Sequence, residues 1–297
     1  MSTIPVRFTS GGKACLGDLH LPEDSGHEGK FPVVVLAHGI GAERRFGLAP
    51  FARDFARRGL AALVFDYRHL GESEGEPRGL VDPRQQIEDY FSALAFVRRH
   101  PELDGDRIGL WGTSFSGGHV LEVAARRPHG VRAVVSQIPF VSGWASTFAY
   151  PLRYHLPAIG AGLLDRLLGL LGRAPVTVPV TRERGFALLA SPDSHEGYRA
   201  MVPEDSEWSG RVPARVFLEI LRYHPGRAAP RIRAPTLVVG ATEDAVCPIA
   251  ATRKVVERIR DVHFETLPVG HFDPYRGEWF DQVVALEGEF LARHLVE

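Results

Sequence analysis

The apolar residues of this chain come in two kinds of pattern that alternate with each other. Short continuous runs, FPVVVLAH (31–38), LAALVFDY (60–67), DRIGLWG (106–112) and VRAVVSQ (131–137), have the length and valine content of strands buried on both faces of a parallel sheet. Between them lie stripes with helical spacing. Leu48, Phe51, Ala52, Phe55 and Ala56 fall at i, i+3, i+4, i+7 and i+8, and Gly59 follows as a stop. Asp82-Pro83-Arg84-Gln85 opens a second helix, with a capping aspartate, proline at the first helical position and a glutamine placed to reach back; it runs to about Arg99. A third helix occupies 116–127. Ahead of these, 4–8 and 14–21 read as a hairpin turning on Gly11-Gly12. Strands alternating with helices predict a mostly parallel sheet covered on both faces. The rhythm breaks over about 140–230, where prolines, glycines and aromatics dominate and one helical stretch carries Ile159, Leu163, Leu167 and Leu171. It resumes with a strand at 233–241, a helix at 248–260, a strand at 262–268 and a last helix from about Gly277.

Bulk properties narrow the function by exclusion. A formal net charge of −1 leaves no electrostatic footprint for nucleic acid or an acidic membrane. The longest apolar stretch, 155–172, is interrupted by Asp165 and Arg166, so no membrane insertion is expected, and the N-terminus has no leader pattern. Cys15 and Cys247 have no metal-type spacing and read as two reduced structural thiols. Metalloprotease, phosphate-loop and dinucleotide motifs are not found, so neither metal nor cofactor is expected. The expectation is a soluble cytoplasmic protein acting on a small molecule; its oligomeric state is not legible.

The chemistry gathers around GTSFSGG (112–118). A serine made nucleophilic on a strand-to-helix elbow needs small residues two before and two after it. Gly112 follows strand 106–111 directly, which puts Ser114 at the apex and Ser116 in the first helical turn. A serine hydroxyl needs a base, and the base an orienting acid. Asp244 follows strand 233–241, with Glu243 as a competing acid, and His271 follows strand 262–268. All three stand just beyond carboxyl ends of strands, where open α/β sheets bind ligands. The oxyanion of acyl transfer calls for backbone N–H donors, which the residue after the nucleophile, Phe115, and Ile40 of the loop His38-Gly39-Ile40-Gly41 are placed to supply.

With the His38-Gly39 loop, Asp66-Tyr67-Arg68 followed by GESEG, GTSFSGG, GATEDAVCP and VGHFDPY in this order, the chain resembles the α/β-hydrolase superfamily, nearest the dienelactone hydrolase and X-Pro-dipeptidyl-peptidase-like branch that includes polyketide transferase-like proteins. The resemblance implies an α/β-hydrolase core at 1–139 and 231–297 with a cap inserted at 140–230. It implies hydrolysis of a carboxylic ester or thioester through an acyl-serine. Acyl transfer of the polyketide-transferase type, or ligand binding without catalysis on the same fold, are the alternatives. The cap is expected to fold over Ser114, with several of Phe140, Trp144, Phe148, Tyr150, Leu163, Leu164, Leu167, Trp208 and Phe217 lining an acyl pocket. The departure from the superfamily pattern is Ser116, where glycine is usual.

Overall fold

A computed structural model describes residues 1–23 and 29–297. The hairpin forms as β1 (Ser2–Ser10) and β2 (Lys13–Leu21), turning on Gly11 and Gly12, both at positive φ. The buried runs become β3 (Phe31–Ala37), β4 (Ala61–Phe65), β5 (Leu103–Thr113) and β6 (Val131–Gln137). The segment after β6 contains a two-strand ribbon, β7 (Thr177–Pro179) with β8 (Arg211–Pro213), which the sequence pattern does not announce. The chain then returns as β9 (Thr236–Ala241) and β10 (Val262–Leu267). The main sheet has the order β1-β2-β4-β3-β5-β6-β9-β10. Pairing is antiparallel at β1/β2 and β2/β4 and parallel from β4 to β10.

The pleat divides each apolar run between two cores. Val33, Val35 and Ala37 of β3 face one side, with α2 (Pro83–Arg99), α3 (Phe115–Ala125) and α8 (Ile249–Val256). Val34 and Leu36 face the other, with α1 (Ala49–Arg57) and α9 (Gly277–Leu295). That is the physical reason these runs are continuous instead of alternating: both faces are dry. The start of α2 forms as its sequence suggests, with the Asp82 carboxylate accepting from the amides of Arg84 and Gln85; the Gln85 side chain meets that carboxylate and not the capping backbone.

Between β6 and β9 lie α4 (Gly143–Phe148), α5 (His155–Leu170), α6 (Ser194–Arg199) and α7 (Val216–Arg222). The 3₁₀ stretch Pro225–Arg231 then packs on α3 and α8. Of the nine residues named for an acyl pocket, Trp144, Leu163, Leu164, Leu167 and Trp208 do not border the cavity described below; Leu163, Leu164 and Leu167 are 57%, 49% and 55% exposed and Trp144 56%. The α5 stripe divides: Ile159 borders the cavity, whereas Leu163, Leu167 and Leu171 turn to solvent, and the helix packs inward there through Gly162 and through Asp165, which is buried against Arg215. Among the described residues no helix is long and apolar enough to cross a membrane.

Candidate active site

β5 ends at Thr113 and α3 begins at Phe115, so Ser114 alone makes the corner. Its φ of 54° and ψ of −115° lie outside the regions an L-residue prefers. Such strain persists only where neighbours over-determine it. Here the Ser114 amide donates to the Gln137 carbonyl at 2.9 Å, and the Ser114 carbonyl accepts from Phe140 at 2.8 Å. The tightness of the corner explains Gly112: a Cβ there would stand 2.2 Å from the Ser116 carbonyl oxygen.

The structure brings Ser114, His271 and Asp244 together. His271 Nδ1 lies 2.7 Å from Asp244 Oδ2, and Nε2 lies 3.0 Å from Ser114 Oγ. With Nδ1–H donating to the carboxylate, Nε2 is left as the acceptor for the serine hydroxyl. The second carboxylate oxygen of Asp244 accepts from the amides of Val246 at 2.7 Å and Cys247 at 2.6 Å, which fixes the acid. Glu243, the competing acid, is exposed, whereas the Asp244 side chain is 1% exposed. Asp273 accepts from the Gly270 amide at 2.8 Å and so shapes the loop that carries His271.

The loop that carries Ile40 is held by its carbonyls. The His38 carbonyl accepts from the Ser116 hydroxyl, and the Gly39 carbonyl from His38 Nδ1 at 2.9 Å. The Ile40 carbonyl accepts from the Tyr198 hydroxyl at 2.9 Å, and the Gly41 carbonyl from Trp208 Nε1 at 3.0 Å. Beyond them, Arg44 joins the loop to the buried Asp66 through both its amide and its guanidinium. Ser116 is thereby explained: it gives its one hydroxyl proton to the His38 carbonyl, so Tyr67 donates to it. Where the family pattern has glycine, this chain has a strut between the elbow and the loop. Burial pushes the Tyr67 phenol well up, which keeps it a donor. Sequence reasoning missed Ser116, Tyr198, Trp208 and Arg44 in these roles. Only Ser116, as an odd residue inside a motif, offered a signal.

A cavity of about 180 Å³ opens beside Ser114. Ile40 and Phe115 border it with Ser114, and its walls include Phe140, Ile159, Phe186, Phe217 and Ile220. Of the residues expected to line a pocket, Phe140, Phe148, Tyr150 and Phe217 do so. Phe148 is also 67% exposed, which marks where the cavity meets solvent. Behind Phe115 the aromatic cluster is locked by His119, whose Nδ1 accepts from the Tyr223 hydroxyl at 2.6 Å while its Nε2–H donates to the Gln86 side-chain oxygen at 2.9 Å; burial lowers His119 to about 3, so it stays neutral. Cys247 lines the cavity as well, with its thiol pushed far up by burial and then by the Asp244 carboxylate. Asp244, Cys247 and His271 place potential metal-ligand atoms within 4.8 Å of one another, the one such group among the described residues. The acid and the imidazole are already hydrogen-bonded to each other and the thiol is held protonated, so the set is a poor fit for a resident ion.

The model of the family described as "Serine aminopeptidase, S33" matches residues 30–270. A quorum-quenching protein from Acinetobacter baumannii is 40% identical, covering 98% of this chain and 94% of its own length. A thiohydrolase from Aspergillus aculeatus is 30% identical over 92% of this chain and 83% of its own. Among solved structures, an α/β-hydrolase from a Penicillium species superposes with a TM-score of 0.86 at 24% identity over 100% of both chains, a likeness of fold.

Proposed function

The chain belongs to the serine aminopeptidase S33 family of α/β-hydrolases, and on that premise we propose that it is a serine hydrolase cleaving a carboxylic ester or thioester, with Ser114 as nucleophile, His271 as base and Asp244 as the acid that orients it. The observation that carries the reading is the hydrogen-bonded line Ser114–His271–Asp244 at the foot of an apolar cavity. As the Ser114 oxygen bonds to the acyl carbon, its proton passes to His271 Nε2, and the negative carbonyl oxygen falls to the amides of Ile40 and Phe115. When the tetrahedral intermediate collapses, His271 returns that proton to the departing oxygen or sulfur. Water, deprotonated by His271, then attacks the acyl-serine; the bond to Ser114 Oγ breaks, His271 returns the proton to that oxygen, and the carboxylic acid leaves.

An aminopeptidase needs a carboxylate to hold the free amine of its substrate. No acidic or basic side chain other than His155 lines the cavity among the described residues, which supports an uncharged acyl group in its place. The thiohydrolase relative supports a thioester, and the Acinetobacter relative suggests a signal molecule as one natural setting. In this reading residues 140–230 act as a cap: they supply most of the cavity wall and, through Tyr198 and Trp208, brace the loop of Ile40.

The test is labelling with a fluorophosphonate followed by intact-mass and peptide analysis. Ser114 is expected to carry the adduct, and Ser114→Ala to lower ester turnover at least ~10³-fold. An adduct on Ser116, or undiminished turnover in Ser114→Ala, would overturn the assignment.

A further inference from the structure

One buried polar atom in the cavity has no partner. The hydroxyl of Tyr150, which lies just after α4, is shielded from solvent and makes no hydrogen bond of normal geometry; the backbone group that acts on it, the Ala190 N–H, is a donor and cannot take the phenolic proton. Buried hydroxyls are nearly always paired, so an orphan in a ligand cavity marks a donor kept for the ligand. Tyr150 lines the same cavity as Ser114 and Cys247, and Cys247 lies beside the hydroxyls of Ser114 and Ser146. Ser146, Tyr150 and Cys247 thus form a polar patch on the wall next to the nucleophile. The wall formed by Ile159, Phe186, Phe217, Ile220 and Leu221 has no polar side-chain atom. The cavity therefore combines this polar patch with an apolar barrel, and Thr147, Tyr154 and His155 are its other polar lining residues besides Ser114.

We propose that Tyr150 is a specificity residue whose hydroxyl donates to an oxygen carried by the acyl group within a carbon or two of the reacting carbonyl. This rests on the ester or thioester reading and narrows its substrate: an acyl chain with a keto or hydroxyl oxygen near its carboxyl end and an apolar tail. The acyl oxygen accepts from Tyr150, the tail fills the barrel, and an unsubstituted chain leaves the phenol unpaired in the complex. A site built around such a donor discriminates by the hydrogen bond its substrate completes.

The experiment compares N-acetylcysteamine thioesters of octanoic, 3-hydroxyoctanoic and 3-oxooctanoic acid, equal in chain length. The whole protein is expected to show kcat/KM about five- to tenfold higher for one or both oxygenated chains than for octanoyl, and Tyr150→Phe, which keeps the ring, is expected to bring that ratio toward one. Equal turnover of all three by the unaltered protein, or a preference that survives Tyr150→Phe, would overturn the proposal while leaving the hydrolase reading standing. The preference of the unaltered protein is decisive even if the variant folds poorly. If no thioester turns over and Ser114 takes no fluorophosphonate, the hydrolase reading fails and this proposal with it.

Discussion

Helix α1 turns Phe51, Ala52, Phe55 and Ala56 inward until none is more than 2% exposed, whereas α5, with a stripe as regular at Leu156, Leu163, Leu167 and Leu170, leaves those residues between 55% and 84% exposed. Spacing alone cannot tell the two helices apart. What separates them is the surface opposite. α1 faces the pleated rows of β3, β4 and β5, including Trp111, which need a lid of that shape. The inner face of α5 meets α7 through Gly162 and the Asp165–Arg215 pair and borders the cavity through Ala158 and Ile159, and no sheet lies under its leucines. A third region, residues 198–208, shows that the segment between β6 and β9 is not uniformly loose: Tyr198 is 3% exposed, stacks on Trp208 at 5.2 Å, and with it holds the loop of Ile40.

The sharpest way to separate the committed regions from the uncommitted one is to perturb each in turn. The rim of the sheet should be least forgiving. Asp244→Asn keeps the fold but leaves His271 in the wrong tautomer, and kcat should fall roughly 10²–10⁴-fold, while Glu243→Gln changes it little; the reverse order in steady-state kinetics would move the acid to Glu243. Next is the α1 core. Phe51→Ala opens a hole beside Trp111 and Phe280 and should cost ~3–5 kcal/mol in denaturant unfolding.

The same face hides a titrating group. Glu287 on α9 accepts from Trp111 Nε1 at 2.7 Å, and burial pushes its carboxyl up to about 8. A pKa raised in the folded state means that its contribution is full below the ordinary carboxyl range and is lost as pH climbs through about 8. Unfolding free energy should therefore decline with rising pH, by at most ~1.4 kcal/mol per unit from this group, and Glu287→Gln should flatten that slope.

Smaller effects belong to the inserted segment. Tyr198→Phe frees the Ile40 carbonyl and should slow fluorophosphonate labelling and kcat/KM about two- to tenfold without loss of fold. Replacing Leu163 and Leu167 together by serine should change unfolding free energy by less than ~1 kcal/mol, since each is more than half exposed. A large loss there would mean that the α5 face is covered in solution, and the contrast with α1 would disappear.

The sequence by itself determined the sheet and its chemistry-bearing corners. Strands buried on both faces must be apolar without interruption, and an elbow of this tightness must have Gly112 before its serine, so both leave local marks. Ser114, Asp244 and His271 could be placed because each follows the end of a strand, and strand ends share one rim. Tertiary structure alone decided which apolar stripe is covered, that Ser116 and Tyr198 hold the loop of Ile40, and that Cys247 and Tyr150 line one cavity with Ser114. These depend on contacts between residues tens of positions apart, over 140–230 most of all, where no repeating pattern constrains the path. A hydroxyl that pairs and one that stays unpaired look the same in a sequence; they differ only in what the fold brings within reach.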